Sequence, residues 1–228
     1  MVRLPVFKYV RSILGYGGSG LRGKAMAGFL LLAAPALAEP VTVLALGDSL
    51  TQGYGLVEAE GFVPQLSAWL EAAEIDAVVI NGGVSGQTTA GGAAQVAWSL
   101  TPEVDAMIVA LGGNDLLRGI APEVARANLE RIAQVARGQG VELLLVGVPA
   151  PGNYGPEYKA QFDAIYPDLA AAYGAALAPD FFAGLAGEED VQARFFQPDG
   201  IHPNAAGVVR IVEALGPEVA ALIARARP

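Results

Sequence analysis

From Val41 onward, short unbroken apolar runs alternate with longer stretches whose apolar residues recur at helical spacing, and that alternation most restricts the folds open to the chain. Strands are expected at Val41–Gly47, Asp76–Asn81, Ala106–Leu111, Leu143–Val148 and Ala175–Ala178. Between them helices are expected at about Phe62–Ala73, Ala90–Leu100, Pro122–Gly138 and Glu157–Tyr173, with a last one over Asn204–Arg225. Strand and helix taking turns is the pattern of a parallel sheet covered on both faces, a doubly wound α/β layer structure. No internal repeat or linker interrupts the series, and 228 residues suit one well-buried core.

In such sheets, sites form where loops leave the carboxyl ends of strands. The first strand runs into Gly47-Asp48-Ser49-Leu50, the second is followed by Asn81-Gly82-Gly83-Val84-Ser85-Gly86-Gln87-Thr88, and the third by Gly112-Gly113-Asn114-Asp115. All three polar, glycine-bearing segments fall at the predicted reactive edge. A strand that breaks into a helix start presents Ser49 as an exposed hydroxyl with backbone N–H groups beside it. Taken alone, a serine there is usually a helix cap. The only histidine, His202, lies about 150 positions away in Asp199-Gly200-Ile201-His202-Pro203, so any imidazole that activates a serine must be His202. Asp199 precedes it by three residues, within reach of the imidazole on a tight turn, and Pro203 suits the first position of the last helix. Gly86 would let a backbone N–H approach a substrate, and Asn114 could donate its side-chain amide. Taken singly, each of these residues has a plain loop or surface reading. Together they fill every role in an acyl-transfer site.

Composition narrows the alternatives. Without cysteine the chain has no disulfides, no thiol nucleophile and no thiolate metal site. With a single histidine, a metal would rest almost wholly on carboxylates, so neither a metal nor a cofactor is expected. Asp48 and Asp115 are expected to make structural hydrogen bonds. Residues 1–38 carry Arg3, Lys8, Arg11, Arg22 and Lys24 and no acid, which leaves 39–228 with 9 basic against 23 acidic groups, a net of −14. A body so charged repels nucleic acid and anionic lipid.

The N-terminal stretch reads as an export signal: a basic region, an apolar core from Ala25 to Ala36, then Ala36-Leu37-Ala38 with small residues where a signal peptidase cuts. The apolar run falls short of the roughly 20 residues that span a bilayer, so cleavage after Ala38 is expected and no stable membrane anchor. Met26 is a second candidate start. The organisation expected is a signal over 1–38 and a catalytic domain over 39–228.

The blocks Gly47-Asp-Ser-Leu50, Val84-Ser-Gly-Gln-Thr88, Gly112-Gly-Asn-Asp115 and Asp199-Gly-Ile-His202 resemble, in order, the four blocks of the SGNH hydrolases, also called GDSL lipases or esterases. The resemblance implies a three-layer α/β/α, flavodoxin-like fold with a five-stranded parallel sheet. It also implies Ser49 as nucleophile, His202 as base, Asp199 as its partner, and an oxyanion hole of Ser49, Gly86 and Asn114. Leu111–Gly119, Ala150–Gly155 and Phe162–Pro167 are further similar to the bacterial periplasmic arylesterases that also act as acyl-CoA thioesterases and lysophospholipases. By that likeness, Ala150, Pro151 and Tyr154 belong to a mobile loop over the acyl chain, Ala150-Pro151 standing where a leucine-proline pair is usual. The implied protein is a periplasmic or secreted monomer acting on small-molecule or lipid esters.

Tyr54, Tyr154, Phe162 and Tyr166 are candidates for an acyl or aryl groove, with the core favoured for Phe162 and Tyr166 because of their helical spacing. The competing functions are a carbohydrate or cell-wall O-acetyl esterase on the same chemistry, a flavin-binding module, and a catalytically dead binding protein. The flavin reading suffers from the lack of a hydroxyl-rich phosphate loop after the first strand.

Overall fold

A computed structural model of the chain describes residues 39–227; the expected signal lies outside the described residues. In order these form β1 (Val41–Gly47), α1 (Ser49–Gln52), α2 (Phe62–Ala72), β2 (Ala77–Gly83), α3 (Thr89–Ser99), β3 (Ala106–Ala110), α4 (Gly113–Leu117), α5 (Pro122–Gly138), β4 (Glu142–Val146), α6 (Pro156–Asp163), α7 (Ile165–Tyr173), β5 (Ala176–Ala178), α8 (Val191–Phe195) and α9 (Ala205–Ala226). The sheet has the order β2-β1-β3-β4-β5 with every neighbouring pair parallel. This is the flavodoxin-like strand order of a doubly wound sheet.

The period of two along each strand sorts the core into two layers. Leu44, Leu46, Met107, Val109, Leu143 and Leu145 point to one face, against Val96 of α3 and Leu129 and Ile132 of α5. Val43, Ala45, Ala106, Ile108, Leu144 and Val146 point to the other, against Leu66 of α2 and Ile211, Leu215 and Leu222 of α9. Each fully buried aliphatic side chain of this kind contributes about 1.5–3 kcal/mol. In α9 the buried positions Val208, Ile211, Val212, Leu215, Val219, Leu222 and Ile223 follow helical spacing, so one stripe faces the sheet.

Strand register positions the site. Gly47, the last residue of β1, lies opposite Gly83 of β2 and Ala110 of β3. The loops that leave these three strands therefore start side by side at one edge of the sheet.

Three local expectations are corrected. The stretch read as one helix over Glu157–Tyr173 is two, separated at Ala164. Pro167 in the first turn of α7 has no N–H for the carbonyl of Asp163, so the helical ladder breaks there. Pro203 is not the first residue of α9: it pairs with Phe196 in an isolated antiparallel bridge, and Asn204 caps the helix by accepting from the Gly207 N–H at 3.0 Å. Finally β2, read as buried, is an edge strand that among the described residues pairs with β1 alone, with Val78 and Ile80 half exposed.

Candidate active site

The β1 strand ends at Gly47, where a side chain would collide with Thr51, and the chain turns at once into α1. Asp48 caps that helix, its Oδ1 accepting from the Leu50 N–H at 3.0 Å. Ser49 is the first helical residue, so its own N–H has no acceptor within the helix, and the residue lines the cavity.

The loop that carries the histidine is built around one carboxylate. Asp199 Oδ1 accepts from the N–H groups of Ile201 and His202, both at 3.0 Å, and Oδ2 accepts from His202 Nδ1 at 2.7 Å. Those hydrogen bonds, the His202 backbone bond first, hold the Asp199 carboxyl down to about 2. With Nδ1 carrying the proton toward Asp199, Nε2 is free to accept, and the Ser49 hydroxyl donates to it at 2.9 Å. A relay of these lengths can move the Oγ proton to the imidazole while the carboxylate fixes tautomer and ring orientation. The residues that sequence reading paired across about 150 positions thus meet directly.

Gly86 and Asn114 line the same cavity as Ser49 and His202. Gly86 is required by conformation more than by crowding: its φ is +77°, and an added Cβ would meet only the Arg118 guanidinium at 3.7 Å. Asn114 Nδ2 donates one proton to Asp48 Oδ2 at 3.0 Å, which leaves its second amide proton for another acceptor. Burial raises the Asp48 carboxyl above its usual range, opposed by the hydrogen bonds from Leu50 and Asn114. Asp115, fully buried, accepts from the N–H and the hydroxyl of Thr89 at 2.8 and 2.6 Å. Both aspartates therefore hold loops together, as expected of them. Among the described residues, no group of three or more His, Asp or Glu side chains is placed to hold a metal.

The cavity is about 760 Å³ and mostly apolar. Pro151 and Tyr154 line it as expected, but Ala150 does not: it is 3% exposed and packs into the core, its N–H donating to Asp163 Oδ1 at 2.7 Å and its carbonyl accepting from Lys159 Nζ at 2.7 Å. A methyl group that faces inward leaves the wall to its neighbours. Phe162 and Tyr166 are core residues, at 0% and 3% exposed. Tyr54 lines the cavity, with its ring centroid 4.6 Å from that of His202.

Several contributors were missed. Leu116 and Leu117 from the short helix α4, with Phe182, Phe196 and Ile201 from loops, add to the apolar lining, and none of these segments is long enough to show a period. Gln197 joins the two halves of the site: Nε2 donates to the carbonyls of Tyr54 at 2.8 Å and Pro203 at 3.0 Å, and its N–H to the carbonyl of His202 at 2.7 Å. Arg118 donates to the Gly86 carbonyl at 2.8 Å and so links α4 to the loop after β2. Only the closeness of Gln197 to the Asp199 block, two residues upstream, offered a hint.

Residues 45–209 match the GDSL-like Lipase/Acylhydrolase family. The chain is 39% identical over 183 residues to Esterase TesA of Pseudomonas aeruginosa, covering 80% of this chain and 89% of that protein. It is 35% identical over 178 residues to Thioesterase 1/protease 1/lysophospholipase L1 of Escherichia coli, covering 77% and 82%. The crystal structure of AlinE4, an SGNH-hydrolase family esterase, superposes with a TM-score of 0.67 at 40% identity, over 85% of this chain and all of that one. The chain thus belongs to the GDSL-like lipase/acylhydrolase family and is a serine carboxylic ester hydrolase.

Proposed function

We propose that the protein cleaves acyl esters and thioesters of arylesterase, acyl-CoA thioesterase or lysophospholipase type through an acyl-enzyme on Ser49. The observation that carries this is the 2.9 Å contact from Ser49 Oγ to His202 Nε2, in the lining of a mostly apolar cavity. His202 takes the Oγ proton as Oγ attacks the carbonyl carbon, and the carbonyl π electrons move onto oxygen. The N–H groups of Ser49 and Gly86 and the free amide proton of Asn114 receive that oxyanion. Collapse breaks the bond to the leaving oxygen or sulfur, which takes the proton from His202. Water then repeats the sequence on the acyl-enzyme, His202 again serving as base, and releases the carboxylic acid.

Ser49→Ala is expected to lower turnover of a p-nitrophenyl ester by about 10⁶-fold, to background, with the fold unchanged by circular dichroism. Full activity in that variant would remove Ser49 from the mechanism. Asn114→Ala is expected to cost about 100- to 1,000-fold and to leave a measurable residue.

The apolar lining from Leu116, Leu117, Phe182 and Ile201 favours an acyl chain over an acetyl group on a sugar. Octanoyl esters should therefore exceed acetyl esters in kcat/KM, and the reverse ranking would favour the O-acetyl esterase reading. The same proposal extends to the unit outside the described residues: 1–38 acts as an export signal cut after Ala38, delivering a monomer to the periplasm or the medium. Among the described residues no helix is long and apolar enough to cross a membrane.

A further inference from the structure

From the turn before α6, through α6 and into α7, runs a column of four aromatic rings spaced four residues apart: Tyr154, Tyr158, Phe162 and Tyr166. Successive ring centroids are 4.9, 5.9 and 6.2 Å apart. Spacing of this kind usually means core packing alone, which phenylalanine or leucine would satisfy. Here three of the four rings carry hydroxyls, and all three donate to carbonyls of one short segment. Tyr166 Oη donates to Leu111 O at 2.8 Å, Tyr154 Oη to Leu116 O at 2.8 Å, and Tyr158 Oη to Ile120 O at 2.7 Å. The rung without a hydroxyl, Phe162, is fully buried in the core.

The gripped segment is the one that carries Asn114. It leaves β3, turns through Gly112 at φ +125°, forms the five-residue helix α4 and turns again at Gly119 at φ +61°. The turn after α4 closes its last carbonyls locally, those of Asn114, Asp115 and Leu116 accepting from the N–H groups of Arg118, Ile120 and Gly119, and the tyrosines fasten this unit to the body of the fold at Leu116 and at its two flanks, Leu111 and Ile120. Gly112 fits the same device, because a side chain there would occupy the place of the Tyr166 hydroxyl. Burial raises the hydroxyls of Tyr158 and Tyr166 above the usual tyrosine range, so both stay protonated donors.

We propose that Tyr154, Tyr158 and Tyr166 form a hydroxyl clamp that positions the Asn114 amide for the oxyanion, an inference that rests on the oxyanion role proposed above for Asn114. The clamp holds the segment from behind, at residues three before and two and six after Asn114, while Asp48 orients the amide from the side of the nucleophile. These tyrosines are positioning residues. Tyr154 lines the cavity as well, whereas Tyr158 and Tyr166 are not among its lining residues, so their substitution isolates the clamp.

The test is a double-mutant cycle. Tyr158→Phe and Tyr166→Phe each keep the ring and lose one hydroxyl. Each is expected to lower kcat on a p-nitrophenyl ester by roughly 3- to 30-fold with KM changed less than about twofold, since a small displacement of a transition-state donor acts on turnover. In an Asn114→Ala background the same substitutions should change kcat less than about twofold, because the donor they position is gone. Tyr158, which is only half-buried, supplies the decisive variant if Tyr166→Phe unfolds. Equal losses with and without Asn114, or no loss in the Tyr158→Phe variant, would overturn the clamp while leaving Asn114 as a donor. Full turnover in Asn114→Ala alone would overturn both.

Discussion

Asp48 and Asp199 show how two carboxylates in one site take opposite electrostatic characters. Asp199 is surrounded by three N–H donors and is held down to about 2, so the stability it supplies is fully present above the ordinary aspartate range and is lost as pH falls through about 2. The melting-temperature difference between the parent and Asp199→Asn should accordingly shrink as pH falls below about 4. Asp48 is buried and raised, so the fold bears a cost that appears as pH rises through about 4 and its unfolded form ionises. Asp48→Asn should therefore gain in melting temperature relative to the parent as pH rises above about 4, yet lose turnover. Its single oxygen cannot accept from both the Leu50 N–H and Asn114 Nδ2, which now use separate oxygens. That Ser49, Asp199 and His202 would lie together was legible in the sequence because His202 is unique, Asp199 stands three residues before it, and Ser49 ends a strand at the predicted reactive edge. Gln197 and Arg118 were not, because an amide or guanidinium that binds a distant carbonyl has no local signature.

Among the elements, those with long apolar periodicity were the most readable, and the site-bearing ones the least. The helix α5 was placed at its observed bounds, Pro122–Gly138, because Pro122 opens it and Leu129 and Ile132 recur on its buried stripe. Leu129→Ala should cost about 2–5 kcal/mol, read as a lower urea midpoint with an unchanged slope. The short helices α1, α4 and α8 carry too few residues to show a period, and they owe their form to partners elsewhere in the chain. The start of α9 shows the consequence. Asn204 caps it through Oδ1 while its Nδ2 donates to the Arg194 carbonyl at 2.9 Å, so one side chain ties the last helix to the segment before His202. Asn204→Ala should lower stability by about 0.5–2 kcal/mol in a denaturant titration.

At the scale of the whole molecule, the order β2-β1-β3-β4-β5 places the reversal of winding between β1 and β3, where Ser49 and Asn114 emerge. If 1–38 is an export signal, mass spectrometry of the exported protein should find Glu39 as its first residue, and an intact Met1 or a blocked Met26 would refute that cleavage. The sequence by itself determined the alternation of strand and helix, and with it the α/β class. It also determined that reactive residues would sit at strand ends, and that a single imidazole had to serve any serine. Those properties follow from local periodicity and residue chemistry, which need no partner to be read. The tertiary structure alone decided that Ala150 turns inward while Pro151 faces the cavity, that Asp48 holds Asn114, and that three tyrosine hydroxyls grip the segment behind it. Each depends on which distant backbone group lies opposite a given side chain, and that is settled only when the layers pack.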